Sequence, residues 1–368
     1  MKRVVVLYGG KSGEHEVSRI SAAGVVRHLD PGRFEAVLVG ISTEGAWSLQ
    51  RRDLVAEARG GLASLPVERG PAVLAAPASG LFIAHGDFIE PLPCDLVFPV
   101  LHGTFGEDGT VQGLLETIDL PYVGASVLGS AIGMDKEKTK NLWRERGLPC
   151  LDHVVARKRD LEAGRLSALV AKVDARLGWP IFVKPVSAGS SVGAGVVKNA
   201  EDLRPALLAA FEWDERALME PLCHAREIEC SVLGNTGSGL RAFPPGEVVP
   251  THEFYDYEAK YIDPNGARLQ IPAAMPAELS DRIMSMAMQA FECLDLAGMA
   301  RVDFFLERKT GALYLNEVNT IPGFTSISMY PKMCEAGGLA YPDLLSRLAD
   351  LAFERHEARH MLRFAPDR

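Results

Sequence analysis

Three residues in the last third of the chain, Asp303, Glu317 and Asn319, have the types and the spacing to hold a cation. They lie on two apolar, β-prone runs, Val302 to Leu306 and Ala312 to Val318, which flank a short polar segment ending in Gly311. That pattern predicts a β-hairpin. With its turn centred on Thr310, Asp303 faces Glu317 and Arg301 faces Asn319, and side-chain alternation puts these odd-numbered residues on one face. Facing carboxylates with Cβ atoms ~5 Å apart repel. At an effective dielectric of about 20 the repulsion costs about 3 kcal/mol unless a positive charge lies between them. An exposed charged face, or one carboxylate paired with Arg301, leaves the second carboxylate and Asn319 unexplained. A divalent cation accounts for all three. Two carboxylates and an amide oxygen are hard ligands, too few for calcium but suited to magnesium shared with substrate phosphates. The expectation is a platform for Mg²⁺ and a nucleotide.

A second element could supply the phosphate contacts. Strand Ile181 to Lys184 runs into a Gly/Ser loop, Ser187 to Gly195, and strand Val196 to Lys198 leaves it. Small residues let backbone N–H groups approach a phosphate, and serine hydroxyls add donors. It is not a Walker loop, since no Gly-Lys-Ser/Thr is present and a strand follows. A flexible hairpin tip is the plain alternative, but Lys184 inside an apolar strand calls for an anion. In M-D-K-E-K-T-K, Asp135 is an N-cap candidate for a helix running to Arg146. Most of its lysines read as solvated; one at the helix start could reach an anion. The segment Glu253 to Pro264 is aromatic, charged and bounded by proline, like loops that close over substrates.

The elements that position these residues can be taken in order. Strand Arg3 to Tyr8, the turn G-G-K-S-G-E-H-E, a helical pattern and a strand near Glu35 to Ile41 make a βαβ opening. Gly9, Gly10 and Gly13 do not match G-x-G-x-x-G, and no acidic residue ends the second strand, which argues against a dinucleotide site. Glu14 falls at a helix N-terminus, where capping is the plain reading. Residues 50 to 93 say little and read as strands and loops elaborating the first domain. Strand Asp95 to Leu101 lands on H-G-T-F-G-E-D-G, a ligand-binding position in α/β sheets, although His102 could simply be a satisfied core histidine. Helix Thr110 to Ile118 and strand Pro121 to Gly124 follow. A helix over Ile283 to Leu294 feeds the hairpin, a final helix carries Leu344, Leu345, Leu348 and Leu351, and the basic tail after Phe353 reads as a solvated terminus.

At 368 residues the chain has room for two or three domains. Its net charge is −9, without a long basic run, so nucleic acid is not an expected partner. Six scattered cysteines with no C-x-x-C pair suit reduced thiols. Met1 to Tyr8 is too short for a signal peptide's apolar core, and no window nears ~20 apolar residues. The expected location is the cytoplasm, away from membranes.

Taken together, these stretches resemble the D-alanine–D-alanine ligase family of the ATP-grasp superfamily. The resemblance rests on G-G-K-S-G-E-H-E-V-S, L-H-G-T-F-G-E-D-G-T-V-Q-G, M-D-K, V-K-P-V-S-A-G-S-S-V-G, F-Y-D-Y-E-A-K-Y, R-V-D-F and N-E-V-N-T-I-P-G-F-T, in register along the chain. It implies an α/β (α+β) fold of three domains: an open α/β sheet domain over residues 1–124, then ATP-grasp domains over 125–223 and 224–368 clamping the nucleotide. It further implies ATP-dependent joining of two D-alanines through an acylphosphate, for peptidoglycan precursors, in a homodimer. On matching positions, Lys136, Lys184 and the loop residues Ser187, Gly189 and Ser191 would meet the ATP phosphates, with Asn316 beside them. Glu220 to Cys223 would form the adenine hinge, although Pro221 and Cys223 depart from the usual residues, and Glu227 would hold the ribose. Asp303, Glu317 and Asn319 would bind two Mg²⁺, with Mn²⁺ able to substitute. Glu14, linked to Ser190 and Tyr261, would receive the first D-alanine beside His102. Lys260, Ser328 and Met329 would take the second, and Arg301 and the Gly323 N–H would stabilise the oxyanion. Tyr261 favours an amine over D-lactate as second substrate, with D-serine still open. The rival readings are an ATP-grasp ligase of another acid and amine, and a nucleotide-binding regulatory domain.

Overall fold

The computed structural model of the chain describes residues 1–189, 192–250 and 267–363. Apolar runs with few polar interruptions form the buried strands of the first sheet: β1 (Lys2–Gly9), β2 (Phe34–Ile41) and β7 (Leu96–Val100) pair in parallel, with β1 central. The little-informative stretch after residue 46 extends the same sheet in antiparallel fashion. It contributes β3 (Trp47–Leu49), β4 (Ala72–Ala76), β5 (Gly80–His85) and β6 (Phe88–Leu92), giving the order β6-β5-β4-β3-β2-β1-β7. The helix Asp53–Arg59 inside this stretch has no counterpart in the sequence reading.

A second, four-stranded antiparallel sheet contains β8 (Val154–Arg157), β9 (Ile181–Pro185), β10 (Gly195–Val197) and β11 (Arg216–Pro221), in the order β10-β9-β11-β8. It closes on its own apolar core, which includes Ile181, Val183, Leu207 and Met219. The third sheet holds β12 (Ala225–Asn235), β13 (Arg241–Ala242), β14 (Gly246–Pro250), β15 (Ala267–Gln270), β16 (Ala297–Glu307) and β17 (Leu313–Asn319). Its path is β15-β14-β12-β16-β17, with β13 on β12. The helix Ala277–Cys293 covers one face with Ile283, Ala287, Ala290 and Phe291, the spacing the sequence predicts. The first sheet and the C-terminal helices share one core: Tyr8 and Phe98 pack with Phe324, Tyr330, Leu344 and Leu348.

The hairpin forms as expected at its functional end, where Arg301 pairs with Asn319 and Asp303 with Glu317. Nearer the turn the register slips by one residue, so Phe304 meets Leu315 and Phe305 meets Tyr314. Asn316 is the extra residue. The bulge reverses side-chain parity along β17: Leu313 and Leu315 are buried below it and Val318 above it. Asn316 and Glu317 are thereby both released from the core, the re-aiming that bulges near active sites perform. Strict alternation from a turn at Thr310 is corrected by that one residue.

Two other expectations are corrected. Residues 121–124 form an isolated bridge, Tyr122 to Val97, rather than a strand. The basic tail after Phe353 is a solvated terminus only in part: the last helix continues from Tyr341 to His360, and while residues 357–363 are exposed, Arg355 and His356 are half-buried. Arg355 lies over the Tyr122 ring at 4.3 Å and donates to the Tyr122 (3.0 Å) and Gly124 carbonyls. Arg359 pairs with Glu116. Cation–π contact and carbonyl acceptors repay the desolvation of the Arg355 guanidinium.

Candidate active site

The three sheets meet around the hairpin face. Glu14 ends the turn after β1, immediately before the helix His15–His28, and its carboxylate makes no capping bond to that helix. It occupies space left by two glycines. A Cβ on Gly103 would stand 2.6 Å from Glu14 Oε2, and one on Gly189 would stand 2.9 Å from the same atom. Gly103 also has φ of +72°, a backbone state that glycine adopts without penalty. The Gly/Ser loop of the second sheet thus comes down on the Glu14 carboxylate of the first.

Lys136 begins the helix Lys136–Glu145, capped by Asp135, whose side chain accepts from the Lys138 N–H at 2.9 Å. Lys136 Nζ donates to the Ala188 carbonyl at 2.8 Å and lies 3.4 Å from Glu317. Lys184, on β9, donates to the Asn316 amide oxygen at 3.1 Å and pairs with Glu220 at 2.8 Å. Lys140, one helical turn after Lys136, reaches the other oxygen of Glu220 at 2.6 Å. All three groups are buried, and of the lysines in M-D-K-E-K-T-K only Lys138 is exposed, which corrects the expectation that most of them are solvated. Burial works to raise the Glu220 carboxyl, yet the Lys140 and Lys184 ammonium groups overcome it and hold the group at about 2. Burial pushes Lys140 down from its usual range, whereas Lys184, though equally desolvated, is raised by the Glu220 and Glu317 charges. Ser187 N–H donates to Asp214 at 2.8 Å, which pins the entry of the loop. Cys223 is half-buried after β11, and Glu227 lies on β12 opposite Val248 and Phe305.

On the hairpin, Arg301 grips Asp303 with two hydrogen bonds of 2.7 Å and lies 3.1 Å from Glu229. Asn319 donates to Asp303 at 3.0 Å. This corrects the argument that an Arg301 pair would leave the rest unexplained: Arg301 and Asn319 both serve Asp303, and Lys136 stands beside Glu317. Protein cations therefore offset the carboxylate repulsion without an ion. The donor set of two carboxylates and an amide still fits a hard divalent ion.

His102 is a satisfied histidine. The Ile321 carbonyl can only accept, so His102 Nδ1 carries the proton and donates to it at 2.9 Å. The Ser21 hydroxyl, which itself accepts from the Phe324 N–H at 3.2 Å, donates to Nε2 of the neutral ring at 3.1 Å. Burial lowers its pKa, which favours this neutral form. Glu107, which the sequence reading passes over inside H-G-T-F-G-E-D-G, accepts from the Gly103 and Ile321 N–H groups, each at 2.9 Å. Burial, with the Glu14 charge adding to it, pushes its carboxyl up to about 7. Together His102, Glu107 and Ser21 clamp residues 321–324, including Gly323, to the first sheet. Ser21 was legible only as a polar residue on an apolar helix face.

Ser328 precedes the helix Met329–Ala336, and its hydroxyl accepts from the Thr325 N–H at 3.0 Å. The Met329 side chain is buried in the shared core, so only its backbone stands at the helix start. Ser190, Ser191, Lys260, Tyr261 and the aromatic segment from Glu253 to Pro264 lie outside the described residues.

Comparison with known sequences and structures follows the same lines. Residues 3–125 match the model of the D-ala D-ala ligase N-terminus, and residues 142–350 match that of the C-terminus. A D-alanine–D-alanine ligase from Treponema denticola is 46% identical over 98% of this chain and 98% of its own length. The solved D-alanine-D-alanine ligase of Coxiella burnetii superposes with a TM-score of 0.80 at 35% identity, covering 98% of this chain and 96% of that one. The VanG D-Ala:D-Ser ligase of Enterococcus faecalis gives a TM-score of 0.81 at 32% identity, covering 95% and 99%. With an α/β fold of three sheets meeting at this hairpin, and with relatives matched along nearly their whole length, the chain belongs to the D-alanine–D-alanine ligase family of ATP-grasp enzymes.

Proposed function

We propose that the protein joins two molecules of D-alanine to D-alanyl-D-alanine with hydrolysis of ATP to ADP and phosphate, supplying peptidoglycan precursors. The observation that carries this is the convergence of Glu14, Lys136, Lys184, Arg301, Asp303 and Glu317, from the three sheets and the helices attached to them, in a chain of this family. A carboxylate does not react with an amine at neutral pH, so it must first be activated. The Glu14 carboxylate holds the ammonium of the first D-alanine, and the neutral His102, together with Glu107, keeps the wall beside it in place. The substrate carboxylate attacks the γ-phosphoryl group of ATP, giving an acylphosphate and ADP. Lys136 and Lys184 hold the phosphates and offset their charge, since phosphoryl transfer needs mostly positioning and electrostatics. The second D-alanine is held by its carboxylate at Ser328, the backbone of Met329 and Lys260. Its free amine attacks the acyl carbon, Arg301 and the Gly323 N–H stabilise the oxyanion, and phosphate leaves. One such donor is worth about 3–4 kcal/mol.

Asp303, Glu317 and Asn319 are the residues that would hold Mg²⁺, which supplies charge neutralisation on the β- and γ-phosphates. Adenine would lie against the backbone of Glu220 to Cys223, with Ser187, Gly189 and Ser191 over the phosphates, Asn316 beside them and Glu227 on the ribose. Ser190 and Tyr261 would complete the link to Glu14. The division at 1–124, 125–223 and 224–368, a homodimer and a cytoplasmic location complete this reading; among the described residues, no helix is long and apolar enough to cross a membrane. The test is ADP release with ATP, Mg²⁺ and D-alanine, run beside L-alanine and beside D-alanine mixed with D-serine. Release specific to D-alanine, with D-alanyl-D-alanine identified by mass, is expected. Equal rates with L-alanine overturn the assignment.

A further inference from the structure

Away from the active face, the end of the last helix meets the turn after the helix Thr110–Thr117. His356 and His360 are four residues apart, so both rings leave the same side of the helix. Both reach one oxygen of Asp119: Nε2 of His360 lies 2.8 Å from Oδ1 and Nε2 of His356 lies 3.3 Å from it. The rings sit 4.4 Å apart, and the three donor atoms all lie within 4.8 Å of one another. Beside them opens a cleft of about 270 Å³, lined by Glu116, Tyr122, Asp295 and Arg355 among others. We propose that Asp119, His356 and His360 form a site for a divalent first-row transition-metal ion of the zinc class.

The geometry is close to what such an ion requires. Zinc takes imidazole nitrogens and carboxylate oxygens at about 2.0–2.2 Å. Tetrahedral donors are then roughly 3.3–3.5 Å apart; the His356 contact to Asp119 already meets this, and the His360 contact must open by about half an ångström. Nitrogen donors select zinc, nickel or copper over magnesium and calcium. Without the ion each Nε2–H donates to Asp119. On binding that proton leaves Nε2, to Nδ1 of a neutral ring or to solvent from a charged one, and the freed Nε2 lone pairs and the Asp119 oxygen turn to the ion. Three protein ligands leave a fourth position for water from the cleft. The nearby cations are already committed: Arg359 pairs with Glu116, and Arg355 faces the Tyr122 ring and two carbonyls. Both histidines lie beyond residue 350, where the match to the family's C-terminal model ends. The ion would fasten the last helix to the first sheet's domain and take no part in ligation.

The experiment uses the full chain, stripped with chelator and kept in excess Mg²⁺ so that the acidic hairpin is supplied. Zn²⁺ is titrated calorimetrically and Co²⁺ by visible absorption. One ion per chain is expected, with d–d bands and no sulfur-to-metal charge-transfer band. Affinity should fall at least about 10-fold in His356→Gln and in Asp119→Asn, with ligation rate unchanged. The unfolding temperature of the parent, but not of the His356→Gln/His360→Gln variant, should rise with Zn²⁺, by about 3 °C at 100-fold excess over Kd. Equal binding by the double variant, a thiolate band from one of the six cysteines, or no binding at micromolar Zn²⁺ would each overturn the proposal.

Discussion

Replacing Glu220 by glutamine removes one negative charge from between two buried ammonium groups and changes almost nothing in shape. Lys140 and Lys184 stand at 2.6 and 2.8 Å from its two oxygens. Holding the carboxyl at about 2 instead of its ordinary 4.5 corresponds to about 3 kcal/mol of folding stability at neutral pH. Breaking a buried ion pair from one side costs about 3–5 kcal/mol, because the partner charge is left in a poor solvent. The two routes agree on about 3 kcal/mol or more for Glu220→Gln, read from urea unfolding. The pH dependence has a definite sign. A depressed carboxyl stabilises above its unfolded value and loses that contribution as pH falls from about 4.5 through about 2. The parent should show this acid loss, and Glu220→Gln should not. Adding Lys140→Met to Glu220→Gln should recover part of the cost by removing the stranded charge. A cost below about 1 kcal/mol for Glu220→Gln, or no recovery in the double variant, refutes the reasoning.

Four further outcomes are expected. Glu317→Gln should lower ligation about 100-fold, equivalent to about 2.7 kcal/mol, and raise the Mg²⁺ concentration for half-maximal rate; an unchanged Mg²⁺ requirement would separate Glu317 from the metal. The Glu107 carboxyl, raised to about 7 by burial, should withdraw about 3 kcal/mol of stability as pH climbs from about 4.5 through 7, and a Glu107→Gln variant should flatten that slope in thermal unfolding. Gly103→Ala places a methyl against the Glu14 carboxylate in a left-handed backbone; it should cost about 1–3 kcal/mol and reduce kcat/KM for D-alanine more than the affinity for ATP. Arg355→Ala leaves two carbonyls without their donor and should cost about 1–3 kcal/mol in unfolding, with kcat unaffected.

Much of the site could be read in advance because it obeys local rules. Parity and a short turn put Asp303 across from Glu317, and an N-cap put Lys136 at the start of its helix. The bulge could not be read this way. It depends on Leu315 and Val318 both being wanted by the core, a tertiary preference that overrides strict alternation by one residue. Glu107 and Ser21 escape a local reading, and Lys140 reads as solvated when it is buried, for a related reason: their partners, Ile321, Phe324 and Glu220, are distant in sequence. Charge density correctly implies solvation for most of the tail after Phe353 but not for Arg355, which finds an aromatic face and two carbonyls on the first sheet's domain. His102 shows the opposite case, a residue singled out for chemistry whose ring nitrogens are both spent on holding the backbone.

The separate apolar core of the four-stranded sheet has a mechanical consequence. The links that join this sheet to its surroundings, from Lys184 to Asn316, from Ala188 to Lys136, from Arg216 to Asp135 and Glu137 and from Glu220 to Lys140, are polar and cross a seam. Solvent-facing polar contacts exchange with water at little net cost, whereas the buried Lys140–Glu220 pair and the interlocked side chains on either side do not. Because its apolar core is its own, this sheet could shift relative to the other two without disturbing the packing of either part, and the Lys140–Glu220 pair is the contact that would resist such a shift.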